Sequence, residues 1–175
     1  MVPIFRALLT FLLLTQVGVP ARADVVDTPT ERHLSLKSAA VHLTIPRRDW
    51  VITREQRNPD GSTVYYALSS DQLKTLLSVY IDKPTVCHSA AGCRDLVMRN
   101  PAFKDAKDLK TFDVGKFSVA QFYLDKPQGL ALVQTNLVAS GYVDGYWFNL
   151  HISKVGDERP DPAVLVELLK ELTIE

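Results

Sequence analysis

Alternation constrains this chain most: from residue 39 onward, apolar and polar residues change places every second position, in runs cut short by turn-forming residues. A period of two sends side chains to opposite faces of an extended strand, so such runs bury one face by joining a sheet. Val41, Leu43 and Ile45 share one face, His42 and Thr44 the other, and Pro46 ends the run. Trp50, Ile52 and Arg54 alternate with Val51, Thr53 and Glu55 in a second strand. Asn58-Pro59-Asp60-Gly61 is a strong turn signal, so Thr63–Leu68 returns as the other arm of a hairpin. Leu77, Val79 and Ile81 mark a fourth strand, with a short helix from Gln72 to Leu77 as the competing reading. Three more strands are expected at Phe117–Leu124, Leu130–Ala139 and Tyr146–Ser153, linked by the turn-rich stretches Asp125–Gly129 and Gly141–Gly145. Strands joined this closely need no crossover, which makes a largely antiparallel sheet of six or seven strands.

Two segments change the period. Cys93, Leu96, Val97 and Asn100 recur at helical spacing, with Ser89 placed to cap that helix and Pro101 to stop it. Ala102–Lys110 then reads as charged and irregular. Near the end, Asp161 suits a helix cap and Pro162 the first helical position, and Leu165, Leu168, Leu169 and Leu172 form an apolar stripe. The expected fold class is therefore α+β, a largely antiparallel sheet packed by a mid-chain helix and a C-terminal helix.

The first 23 residues read as a signal peptide. Arg6 supplies the positive region, Ala7–Val19 the apolar core, Pro20 the break, and Ala21-Arg22-Ala23 the cleavage pattern, leaving Asp24 as the new terminus. The apolar run is shorter than the roughly 20 residues a membrane span requires, so no integral membrane segment is expected after cleavage. Residues 24–38 read as a polar N-terminal arm, and residues 39–175 as a single domain. Without the leader, 18 basic residues face 20 acidic ones, a net charge of −2. That balance lacks the basic excess on which affinity for nucleic acid rests. Asn58 and Asn100 precede proline, and Asn136 and Asn149 lack the hydroxyl residue of a glycosylation sequon. The expected compartment is a bacterial periplasm, with secretion as the alternative.

In an oxidising compartment Cys87 and Cys93 are expected to close a small loop as a disulfide. The competing readings are a redox couple, a nucleophilic Cys87 beside His88, or metal ligation, but the spacing is not the Cys-x-x-Cys of redox enzymes. No glycine-rich phosphate loop, His-Glu-x-x-His or Gly-x-Ser-x-Gly motif occurs. His33 falls in the arm, and His42 and His151 lie on polar strand faces. They could meet at a metal only if their strands were neighbours and a third ligand joined them. Ser140, His151 and Asp144 make a catalytic triad on paper alone. Tyr142, expected in a turn, and Trp147, opposite the faces of Tyr146 and Phe148, form the candidate partner-binding surface. The competing reading puts Trp147 beneath a helix. Trp50 reads as a packing anchor, and Arg47, Arg48, Arg54 and Arg57, interleaved with Asp49, Glu55 and Asp60, as a solvated rim.

A hairpin opening on Ile45-Pro46-Arg47-Arg48-Asp49-Trp50, then a strand, a helix, a three-strand meander and a closing helix, resembles the PsbP-like superfamily over about residues 39–174. The superfamily includes photosystem extrinsic subunits and Mog-type Ran-binding proteins. The resemblance implies an α/β/α sandwich and a non-enzymatic docking module. It carries over no functional residue, and the Cys87–Cys93 pair is not a general feature of the superfamily. The expected function is an exported binding module that uses a protein partner in the envelope and no cofactor. One alternative is a carrier of a small ligand or metal with a pocket lined by Tyr65, Tyr123 and Trp147. The other is a small hydrolase or redox enzyme using Cys87, His88 or His151.

Overall fold

The structure, a computed structural model, describes residues 25–36 and 39–175, so the expected signal peptide lies outside the described residues. Numbered in chain order, the strands are β1 (Val25–Asp27), β2 (Glu31–Ser35), β3 (His42–Pro46), β4 (Val51–Arg57), β5 (Thr63–Ser70) and β6 (Thr75–Asp82). After helix α1 (Ala90–Met98) come β7 (Lys107–Val114), β8 (Phe117–Asp125), β9 (Val133–Val143) and β10 (Tyr146–Gly156), then α2 (Pro162–Lys170) and β11 (Thr173–Ile174). A seven-stranded sheet runs in the order β4-β5-β6-β10-β9-β8-β7, and a four-stranded sheet in the order β1-β2-β3-β11. Every pairing is antiparallel.

Turn chemistry fixes the registers. Asp144 and Gly145 both take positive φ, 51° and 79°. That is the backbone of a two-residue hairpin whose twist matches its strands. It pairs Tyr146 with Val143 and lets β9 and β10 run longer than the alternation indicates. At the β4–β5 turn, Gly61 (φ 70°) donates its N–H to the Asn58 carbonyl at 2.9 Å. Helix caps fall where the residue types place them: Ser89 accepts from the Gly92 N–H, and Asp161 from the Ala163 N–H.

One face of the seven-stranded sheet makes the main core. Tyr66, Leu68, Val79, Ile81, Leu137, Phe148, Leu150 and Ile152 pack there against Leu34, Leu43 and Ile45 of the smaller sheet and Leu165 and Leu169 of α2. The opposite face carries α1.

Two expectations need correction. Residues 25–35, read as a polar arm ahead of the domain, are part of its smaller sheet. They form β1 and β2, because Leu34 pairs with Leu43 and both side chains are fully buried. Nor is the 102–110 stretch irregular throughout. After a 3₁₀ turn at Pro101–Phe103 it enters β7, an edge strand whose side chains are mostly exposed and whose apolar signal is therefore faint. The pairing shifts register at both rims of the large sheet, in β4 between Ile52 and Arg54 and in β7 between Lys107 and Lys110. Among the described residues no helix is long and apolar enough to cross a membrane.

Candidate functional site

Helix α1 is too short to cover the outer face of the large sheet. It packs chiefly on β8, β9 and β10, reaches Tyr80 of β6, and leaves the outward side chains of β5 and β6 partly exposed. A disulfide between Cys87 and Cys93 (Cα–Cα 5.1 Å) ties the helix to the segment before it. Such a bond belongs to a chain that matures outside the reducing cytoplasm. The bond packs on Trp147, which is 9% exposed, and Leu96, Val97, Tyr80 and Tyr142 complete the cluster. The Trp147 Nε1–H points to Ser140 Oγ at 3.4 Å, and its ring meets the Tyr80 ring edge-on at 5.6 Å.

Beside α1 the uncovered face forms a trough. Its larger part, about 590 Å³, is lined by Tyr65, Ser78, Tyr80, Leu96, Arg99 and Asn149 among others. A second depression of about 290 Å³ shares Tyr65 and Tyr80 and continues to Gln56, Asn58 and Thr63. The two together cross β10, β6, β5 and β4, three interstrand steps or about 14 Å. Cross-strand register sets the floor: Asn149 stands opposite Tyr80, and Tyr80 opposite Tyr65, which faces Gln56.

The polar groups of the trough divide into two sets. Thr63 donates to Asp82 Oδ1 (3.2 Å) and accepts from Asn58 Nδ2 (3.3 Å), so that end is satisfied internally. Burial, reinforced by Asp82, holds the Tyr80 phenol above its ordinary pKa, with the Thr63 contact opposing. By contrast, Asn149 Oδ1 is buried out of reach of solvent and accepts no hydrogen bond from the described residues. The side chains of Gln56, Tyr65, Ser78 and Arg99 make no hydrogen bond or ion pair with the described residues. A buried acceptor without a donor costs free energy.

The histidines are placed apart. His42 lies on β3 of the small sheet, its ring 4.6 Å from that of His33, whose Nδ1 is 3.2 Å from Thr44 Oγ1. Burial, then the neighbouring His33, lowers the His42 pKa against the pull of Glu175 and Glu31. His151 sits at the centre of the large sheet, its Nε2 2.8 Å from Asn136 Oδ1 and its ring edge-on to Phe103. Burial brings its pKa down to about 4. His42 and His151 thus belong to different sheets and do not converge, and no cluster of three metal-ligating residues occurs among the described residues. The paper triad is not assembled either: Ser140 serves Trp147, His151 serves Asn136, and Asp144 is in the hairpin turn. His88 is exposed beside a closed disulfide that leaves no thiol for nucleophilic chemistry.

Of the residues singled out from sequence, Tyr65 and Trp147 meet in the trough, Trp147 from beneath α1. Tyr142 is half-buried against Trp147 and is not in the turn. Tyr123 does not join them. It lies on β8 with the Arg159 guanidinium 4.6 Å above its ring. Ser78 and Tyr80 were not singled out, and Asn149 was not read as a site residue, although each occupies the polar phase of a strand whose apolar phase is plain. No family model matches this sequence, and no curated protein matches it.

Proposed function

We propose that this chain is an exported, non-enzymatic docking module of a bacterial periplasm, and that it acts by holding a protein partner in the trough beside α1. One observation carries the reading: α1 packs chiefly on β8, β9 and β10 and leaves Tyr65, Ser78 and Tyr80 as a half-open surface beside it. Aromatic side chains bury large area at small entropic cost, which favours them at binding surfaces. A helix on one face of the large sheet, with a helix and a second sheet on the other, also suits the layered docking domains that the sequence resembles.

The test is a photo-crosslinking residue at position 78, within the trough, against a control at position 33 on the outer face of the small sheet. Irradiation in the native envelope is expected to give a discrete protein adduct from position 78 and none from 33, and Tyr80→Ala should remove it. Equal adducts from both positions would overturn the reading. So would a small molecule recovered from the trough with no protein adduct.

A further inference from the structure

We infer that the trough takes an extended peptide segment of the partner, apolar in its middle and carrying a carboxylate that meets Arg99; the inference rests on the docking reading above. The trough's span of about 14 Å matches about four residues of extended chain at about 3.3 Å each. Its floor offers Ser78 and Gln56 as polar groups without partners among the described residues. Peptide N–H and C=O groups, repeating along an extended strand, supply both complements. The wall of Leu96, Val97 and Pro101 and the rings of Tyr65 and Tyr80 accept apolar side chains between those polar points.

Charge selects within that class. Arg99 is exposed at the end of α1, has no ion pair among the described residues, and no carboxylate lines the trough with it. A neutral sugar chain leaves this charge unanswered. An anionic membrane surface draws on clusters of basic residues, whereas the trough holds Arg99 in its larger part and, in its smaller part, Arg57 already paired with Glu55.

The experiment uses ¹⁵N-labelled, disulfide-closed protein and capped pentapeptides built on Ala-Val-Leu-Ala, with Asp, Asn or Lys added at either end. Cellotetraose serves as the neutral sugar. Asp peptides are expected to shift the amide signals of Tyr65, Ser78, Tyr80, Arg99 and Asn149, and to bind about fivefold tighter than the Asn peptides. Arg99→Gln should erase that preference while leaving the Asn peptides unaffected. Ser78→Trp, which fills the floor, should abolish binding, and Tyr65→Ala, a truncation at the surface, should weaken it if Ser78→Trp fails to fold. Equal or tighter binding of the Asn or Lys peptides would overturn the inference, as would cellotetraose shifting these amides where no peptide does. If no peptide binds yet the position-78 adduct forms, the peptide class falls and the docking reading stands. If peptides bind and no adduct forms, the docking reading falls instead.

Discussion

At the residue scale, burial decides the charge of His151. In the unfolded chain its pKa is about 6.5. In the folded protein burial lowers it to about 4, and Nε2–H donates to Asn136 Oδ1. Between those two values the unfolded chain binds a proton that the folded one does not. Its contribution is therefore complete above pH 6.5 and lost as the pH falls towards 4, by at most about 3 kcal/mol. Urea unfolding at pH 7 and pH 4.5 should show this loss, and His151→Gln, which retains a donor for Asn136, should shrink it. An acid limb unchanged in the variant would refute the assignment. His42, also lowered, acts in the same direction. The alternation of β10 placed His151 on the polar face, but not under cover. The cover comes from Phe103, in a segment with neither strand nor helix periodicity. Asn149 was obscure for the same reason: its amide oxygen is buried by neighbours that the alternation of β10 does not reveal.

At the element scale, the disulfide and α1 act as one part. Closing so short a loop contributes about 2 kcal/mol on the chain-entropy model. Because the bond rests on Trp147, its loss also loosens the wall of the trough. Reduction is expected to lower the urea midpoint accordingly and to change tryptophan emission before global unfolding. A reduced protein matching the oxidised one in both respects would contradict this. The helices were legible because their signals are local: Ser89, Pro101, Asp161 and Pro162 each act within one turn. The strand β7 was not, because an edge strand dominated by Lys107, Asp108, Lys110 and Asp113 meets little core and needs little apolar pattern.

For the molecule as a whole, stability depends on two sheets closed by residues far apart in sequence. Thr173 and Ile174 pair with Thr44 and Leu43, Lys116 Nζ donates to the Ile174 carbonyl at 2.8 Å, and the Ile174 side chain packs onto Gly141 of the large sheet. Ile174→Ala removes buried contacts from both layers at once and is expected to cost about 2–4 kcal/mol, read by urea unfolding. A loss below 1 kcal/mol would mean that the sheets do not depend on this contact. Alternation showed that β3 had to pair with something. It could not say that the partners were β2 and β11, since that choice depends on non-local packing of Leu34, Leu43 and Ile174 into one core. The interrupted pairing at the rims of the large sheet bears on association between copies. An open β-sheet can recruit further copies of itself into a fibre wherever its outermost strand offers a straight, uncharged ladder. At β4 a register shift and Arg54 interrupt that ladder, and at β7 a register shift and Lys110 do the same, so neither rim offers a continuous template to a further copy.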